Sequence, residues 1–179
     1  MSEPDDHDLV TRARAGSKEA LGELFSRHWS PAWRAAYGLT GERATADDVA
    51  QDAFERAIRN LHRFDGRRPF GAWLHRIVVN RAHDVMRRER RLTALEGRAE
   101  EAADAGQHEA AERAEVRAAI GRLDFDRRAV VVLHYWLGHP LTSVAEILDV
   151  PVGTVHSRMS RALADLRQRL EVGDAGQPR

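Results

Sequence analysis

The sequence predicts an all-α fold made of two small helical domains. Over most of the 179 residues, apolar positions recur at spacings of three and four, which is the periodicity of one helix face. The β-branched run at 130–133 lies within such a pattern, so no strand is expected. Residues 92–112 are rich in Ala, Glu and Gly and divide the periodic sequence into two parts.

The first part is expected to be a small bundle of helices. Apolar positions over 8–40, punctuated by Pro31, predict two or three helices, and a longer one is predicted over 46–63. Residues 64–69, FDGRRP, are expected to form a loop, because Asp-Gly is a turn dipeptide and proline suits the first turn of a helix. The periodicity then predicts a helix over 70–91.

The segment at 92–112 is predicted to be a flexible acidic linker. Beyond its first residues it has no apolar side chain larger than Ala, so it buries little surface. The domains are therefore expected at 1–91 and 113–172, and residues 173–179 are expected to form a disordered tail.

Two short helices joined by a tight turn are predicted in the second domain. The first, LTSVAEIL at 141–148, is expected to be capped by Thr142 or Ser143, and Ser143 with Glu146 fits a capping box. Asp149 stands in the turn where glycine would be easiest, although Asp tolerates the left-handed conformation better than most residues.

The second of these helices is amphipathic, with a polar and basic face. Its apolar residues are spaced by four, four, three and four: Val155, Met159, Leu163, Leu166 and Leu170. Its opposite face carries His156, Ser157, Ser160 and Arg161, with Arg158 on a flank. A polar second helix after a tight turn is the helix-turn-helix pattern, which reads base edges in a major groove. An ordinary amphipathic surface helix is the alternative interpretation.

Composition narrows the class of protein. Formal net charge is zero, but the charges lie in blocks: 67–91 holds eight Arg and two acids, and 92–116 holds seven acids and two Arg. The absence of Cys excludes disulfides and thiolate zinc sites and fits a reducing compartment. The acidic N-terminus is unlike a signal peptide, and no apolar run is long enough to span a membrane. A cytoplasmic protein without membrane insertion is expected.

Two further charged faces are candidates for binding. The helix over 70–91 places basic and polar side chains on one face, with aromatic rings at its start, an arrangement that suits single-stranded nucleic acid. These residues are Phe64, Phe70, Trp73, Arg76, Asn80, His83 and Arg87, followed by Arg90 or Arg91. Asp48, Asp52 and Glu55 form an acidic stripe that could meet a basic partner. The alternatives are that the rings are core and the charges solvated.

The sequence offers little for catalysis. His75 and His83 have no carboxylate at a spacing that would complete a metal site. The metalloprotease, phosphate-loop and nucleophile-elbow motifs do not occur. We therefore expect a protein that is not an enzyme and needs no cofactor.

Three segments taken together resemble a sigma factor of the extracytoplasmic-function (ECF) group, within the sigma-70 family of bacterial transcription initiation factors. They are ATADDVAQDAFERAIRNL at 44–61, FDGRRPFGAWLHRIVVNRAHDVMRRERR at 64–91 and LTSVAEILDVPVGTVHSRMSRALADLR at 141–167. The combination of D-D-V-x-Q-D-x-F, W-L-x-R-I-x-x-N and G-T-V-x-S-R is specific, whereas each motif alone is weak.

The resemblance implies a role for each face. Residues 8–91 resemble region 2, and 113–170 resemble region 4. The partners implied are promoter DNA, core RNA polymerase through its β′ clamp helices and β flap, and an anti-sigma factor. The residues implied to bind the clamp helices are Asp48, Gln51, Asp52 and Glu55. Those implied to engage the melted −10 element are Phe64, Asp65, Arg67, Arg68, Phe70, Trp73, Arg76, Asn80, His83 and Arg87.

The −35 element is implied to be read as duplex DNA by the last helix. His156, Ser157, Ser160 and Arg161 would face the bases, with Arg158 and the backbone near Thr154 on phosphates. The linker is implied to thread toward the polymerase channels. Two rival functions stay open: a stand-alone helix-turn-helix regulator, which would bind duplex DNA by itself, and an adaptor that binds only protein through the acidic stripe.

Overall fold

The computed structural model describes residues 5–96 and 111–174, here called the N-terminal and C-terminal halves. Within them the chain forms eight α-helices and no strand, as the sequence predicts. The N-terminal half comprises α1 (Asp6–Arg14), α2 (Lys18–Thr40), α3 (Arg43–Arg59) and α4 (Phe70–Glu96). The C-terminal half comprises α5 (Ala111–Gly121), α6 (Phe125–Val131), α7 (Leu141–Leu148) and α8 (Val152–Asp174).

The first two helices begin at side-chain caps. The Asp5 carboxylate accepts a hydrogen bond from the backbone N–H of Asp8 at 2.8 Å, and the Ser17 hydroxyl accepts one from Ala20 at 3.1 Å. The second helix, α2, ends at Gly41, whose left-handed φ of 80° suits glycine. It continues through Pro31 instead of breaking there, because its buried alanines pack against α3 and α4 on both sides of the proline.

The next helices agree with the sequence except at their ends. The predicted helix over 46–63 is divided into α3 and a single 3₁₀ turn at Leu61–Arg63. The loop at 64–69 is present, and α4 extends past the predicted end at residue 91 to Glu96. The helix α5 begins at Ala111, within the predicted linker, and α8 ends at Asp174, within the predicted tail. Residues 97–110 of the linker and 175–179 of the tail lie outside the described residues.

The start of α7 corrects one detail. The residue before the helix is Pro140, which makes no side-chain cap, so the capping box predicted from Ser143 and Glu146 is wrong. A proline there has an extended backbone and begins the helix at Leu141, which places Ser143 within the first turn. The turn itself is as expected, because Asp149 adopts the left-handed conformation with φ 57° and ψ 47°.

One hydrophobic core runs through both halves. The α6 helix continues into a π-helical turn at Val132–Trp136, and this turn packs on α2. The closest approach is at Gly38, where Trp136 and Val132 lie against the backbone of α2. Elsewhere α7 packs on α4. The sequence indicated two domains but not this interface between them.

A buried arginine joins the halves. Arg128 of α6 is only 4% exposed, and its guanidinium donates to the carbonyl of Leu39 at 2.5 Å and to that of Leu123 at 3.0 Å. It also donates to the carbonyl of Gly121. These carbonyls lie at or just beyond the C-terminal ends of α2 and α5, where helices leave acceptors unpaired and favour positive charge. Arg128 therefore caps two helices from different halves.

No helix in the described part of the chain is long and apolar enough to cross a membrane.

Candidate nucleic-acid interface

The amphipathic pattern of the last helix is realised in α8. Val155 and Met159 are buried against the rest of the C-terminal half. The polar face predicted to read the −35 element is exposed, at His156, Ser157, Ser160 and Arg161. Because these side chains lie in the first turns after the Asp149 turn, they occupy the recognition positions of a helix-turn-helix.

The flank of this face is held within the protein. Thr154 and Arg158 are half-buried, and the Ser157 hydroxyl donates to the Thr154 carbonyl at 2.9 Å. The Arg158 guanidinium is paired with the carboxylate of Asp126 on α6. The pair orients Arg158 beside the exposed face, and a phosphate contact by Arg158 would compete with Asp126.

The aromatic rings at the start of α4 belong largely to the core. Phe64 is 5% exposed and Phe70 is 3% exposed, and their ring centroids lie 5.6 Å apart in an edge-to-face contact. Trp73 is half-buried and lies 5.4 Å from Phe64 and 5.6 Å from Phe70. The two phenylalanine rings therefore belong to the core, which was the alternative interpretation of the sequence. The aromatic cluster packs beside the 64–69 loop and supports it.

The loop presents its polar residues outward from this aromatic support. The Asp65 carboxylate accepts from the backbone N–H of Arg67 at 3.1 Å, and Gly66 takes a left-handed φ of 71°. Arg14 of α1 donates from Nε at 3.0 Å and from Nη2 at 2.8 Å to the Leu61 carbonyl. It also donates to the carbonyl of Phe64, so α1 fixes the start of the loop. No local pattern in the sequence indicates this role of Arg14, because its partners lie 47 and 50 residues away.

A cleft of about 380 Å³ separates the start of α1 from this loop. Its walls are polar and charged. They are formed by Asp5, Asp6 and His7 on one side and by Phe64, Gly66, Arg67, Arg68, Pro69 and Phe70 on the other. Arg67 projects into solvent, where its guanidinium lies 3.5 Å from the Asp65 carboxylate.

The C-terminal half covers part of the basic face of α4. The Arg76 guanidinium lies 2.8 Å from the carboxylate of Asp149, and Arg68 donates to the Glu146 carbonyl at 3.4 Å. The His83 ring lies 4.9 Å from the ring of Phe125. His83 nevertheless stays exposed, as do Asn80 and Arg87 on the same face. Arg87 borders a second cleft of about 270 Å³, which is floored by Met86 and Phe125 and lined by His83, Arg90 and Arg91.

The acidic stripe on α3, together with Gln51, consists of three exposed residues and one half-buried residue. Asp48, Gln51 and Glu55 are exposed, and Glu55 lies 3.6 Å from the Arg59 guanidinium. Asp52 is half-buried and pairs with Arg81 of α4 at 2.5 Å. The exposed part of the stripe can meet a partner without rearrangement, whereas Asp52 ties α3 to α4.

Within the described residues, no three His, Cys, Asp or Glu side chains are grouped so that they could hold a metal ion.

Comparison with known proteins decides the family. Residues 24–92 match the family model of Sigma-70 region 2, and residues 113–166 match that of Sigma-70 region 4. The chain belongs to the ECF sigma factors of the sigma-70 family. As an ECF sigma factor it is a transcription initiation factor and not an enzyme, and it directs RNA polymerase to promoters.

Curated relatives extend over nearly the full length of this ECF sigma factor. The RNA polymerase sigma factor CnrH of Cupriavidus metallidurans is 35% identical over 184 aligned residues, covering 94% of this chain and 96% of CnrH. The ECF RNA polymerase sigma factor SigM of Mycobacterium tuberculosis is 35% identical over 170 residues, covering 94% and 86%.

Two solved structures share the arrangement of the halves. CnrH in complex with the cytosolic domain of CnrY has a TM-score of 0.73 at 33% identity, covering 96% of this chain and 99% of that one. The sigma factor RpoE of Bartonella quintana, in complex with the anti-sigma factor NepR, also has a TM-score of 0.73, at 25% identity, covering 84% and 96%.

Proposed function

We propose that this ECF sigma factor reads the −35 element with the exposed face of α8 and engages the melted −10 element with the 64–69 loop and the start of α4. The observation that carries the proposal is the polar face of α8. His156, Ser157, Ser160 and Arg161 are all exposed and follow soon after the Asp149 turn. Short polar side chains and a guanidinium at that place suit base edges in a major groove.

The contribution of region 2 follows from the loop. Arg67 and Arg68 line the cleft beside the start of α1, together with Phe64 and Phe70, and Asp65 lies next to them in the loop. The guanidinium groups suit the phosphates of a single strand, and Asn80 and Arg87 extend the exposed face along α4. In this proposal Trp73, half-buried beside the rings of Phe64 and Phe70, is the ring available for stacking.

The polymerase is proposed to dock on α3. Asp48, Gln51 and Glu55 form an exposed face suited to the β′ clamp helices, and the pair of Asp52 with Arg81 of α4 holds this helix in place. Region 4 is proposed to meet the β flap. Because CnrH and RpoE are each solved with a bound protein, NepR being an anti-sigma factor, we also propose an anti-sigma partner for this chain. The proposed location is the cytoplasm, where these partners are found.

Transcription from a randomised promoter library with purified core polymerase tests the −35 assignment. Arg161→Ala should weaken promoter use by about 1–3 kcal/mol at one −35 position if the guanidinium contacts that base. Arg169→Ala changes an exposed arginine two turns further along α8 and is the matched control. A uniform loss across all −35 sequences would instead assign Arg161 to a phosphate.

A second experiment separates this proposal from a stand-alone regulator. A gel shift on promoter DNA should require core polymerase, because tethering both halves to one enzyme makes the second promoter contact intramolecular. Asp48→Lys should weaken assembly with the polymerase. Glu115→Lys makes the same change of charge at an exposed position of α5 and should not weaken it. Tight, palindrome-dependent binding by the free protein would contradict the proposal.

A further inference from the structure

Two histidines meet where α4 packs against the C-terminal half. Nδ1 of His75 lies 2.8 Å from Nε2 of His139, which stands in the connection between the π-helical turn and α7. His75 is 5% exposed, and His139 is half-buried. A hydrogen bond between two imidazole nitrogens needs one donor and one acceptor, so it fails when both rings are protonated. A single proton would place a charge at a buried position.

The surroundings of this contact oppose protonation of His75 and of His139. Burial lowers the pKa of His75 to about 3, and His139, His28 and Arg34 act in the same direction. The backbone of Pro31 is the one neighbour that raises this pKa. None of these neighbours is a carboxylate; Asp6 lies against His28, 2.8 Å from its Nε2. Burial also lowers the pKa of His139.

The same interface engages arginines that the proposed function assigns to promoter DNA. Arg76 follows His75 in α4 and pairs with Asp149 of the helix-turn-helix turn at 2.8 Å. Arg68 donates to the carbonyl of Glu146 in α7. With the halves closed, both guanidinium groups point to region 4 instead of to a DNA strand.

We propose that His75 and His139 form a proton-sensitive latch that holds the C-terminal half against α4, and that this latch must open before Arg68 and Arg76 reach promoter DNA. The claim that the latch must open before DNA binds rests on the proposed function. The claim that the two histidines form a latch concerns only the free chain and does not depend on that function.

The direction of the pH effect follows from the lowered pKa of His75. A histidine whose pKa is near 6.5 when the halves are open and about 3 when they are closed favours closure fully above pH 6.5. That contribution is lost as the pH falls from 6.5 toward 3. Between pH 7.5 and 5.5, the ratio of closed to open molecules should fall about tenfold for this one group. His139 adds to the change in the same direction.

The absence of Cys allows a direct measurement on the full-length protein. Cysteines introduced as Lys18→Cys on α2 and Gln168→Cys on α8, both exposed positions, carry a fluorophore pair that reports the distance between the halves. The wild-type background should lose at least about tenfold in the ratio of closed to open molecules from pH 7.5 to 5.5. In His75→Gln the roughly tenfold contribution of His75 should be absent, which leaves only the contribution of His139. His62→Gln, which alters an exposed histidine outside the interface, should keep the full response.

Two results would overturn the latch. One is a wild-type distance that does not change over this pH range, and the other is a response that survives undiminished in His75→Gln. Should His75→Gln fail to fold, NMR titration of the His75 imidazole in the wild type decides, because a pKa near 6.5 is incompatible with the buried contact. A separate measurement addresses DNA: His139→Gln should bind a single-stranded −10 oligonucleotide more tightly at pH 7.5. If the halves open but the oligonucleotide does not bind more tightly, the claim about promoter DNA is refuted, whereas the claim that the two histidines form a latch is not.

Discussion

Replacing Gly38 by alanine should weaken the contact between the halves. Gly38 lies in the last part of α2, and a Cβ added there would stand 2.8 Å from Cε3 and Cζ3 of Trp136 and 2.9 Å from Cγ1 of Val132. Favourable carbon–carbon separations are about 3.5–4.0 Å. Val132 is fully buried, so it cannot move aside freely, and the π-helical turn would have to shift.

The magnitude follows from two opposing effects. Alanine in place of glycine within a helix stabilises it by about 1 kcal/mol, through its higher helix propensity. Inserting a methyl group into a closely packed site costs about 1–3 kcal/mol. Gly22→Ala provides the matched control, because Gly22 lies in the same helix and its added Cβ would meet nothing within 4 Å. Gly22→Ala should therefore be stabilising by about 1 kcal/mol, and Gly38→Ala should fall below it by about 1–3 kcal/mol.

Urea unfolding of both variants measures this difference, since the propensity gain cancels between them. Trp136 fluorescence, read against the other three tryptophans, reports whether the turn has moved. Equal stabilisation by the two substitutions would refute the reasoning, because it would mean that the α2 contact with Trp136 is loose or not formed in solution.

Two further substitutions test the interface and the turn. Arg128→Met should lower the free energy of unfolding by about 3 kcal/mol, because three backbone carbonyls at the ends of α2 and α5 lose a charged donor. Urea unfolding measures this loss, and a loss below about 1 kcal/mol would contradict the capping role. Asp149→Gly should raise the free energy of unfolding by about 0.5–1 kcal/mol, since relief of the left-handed backbone exceeds the value of an ion pair whose carboxylate is largely exposed. Asp149→Ala loses the same ion pair but keeps the cost of the left-handed backbone at residue 149. Thermal unfolding should therefore show this variant to be less stable than the wild type. Equal stability of the Gly and Ala variants would contradict this account.

Local sequence signals accounted for most of the helices and for the face of α8. The spacing of Val155 and Met159 placed the core side of that helix, and the structure buries both. The Asp149 turn was also correctly anticipated, because tolerance of the left-handed conformation is a property of the residue itself. The capping box at Ser143 was wrong because a cap depends on the backbone of the preceding residue, and Pro140 begins the helix earlier.

Contacts between distant residues left no local trace. Arg128 and the Leu39 carbonyl are 89 residues apart, and Arg76 and Asp149 are 73 apart. Neither pair belongs to a periodic pattern, so Arg76 was assigned to the basic face of its own helix and Arg128 was given no role. The rings of Phe64 and Phe70 illustrate the same limit, because aromatic residues beside a basic face suit both a stacking surface and a core.

Sequence by itself determined the helical class, the order of the elements, the family resemblance and the polar side of α8, because each depends on residues within a few turns of one another. Only the tertiary structure decided that the halves close on each other, that His75 meets His139, and that Arg68 and Arg76 are engaged by region 4. Those outcomes depend on which surfaces lose most contact with water when they pack, and that free energy belongs to pairs of surfaces rather than to any stretch of chain.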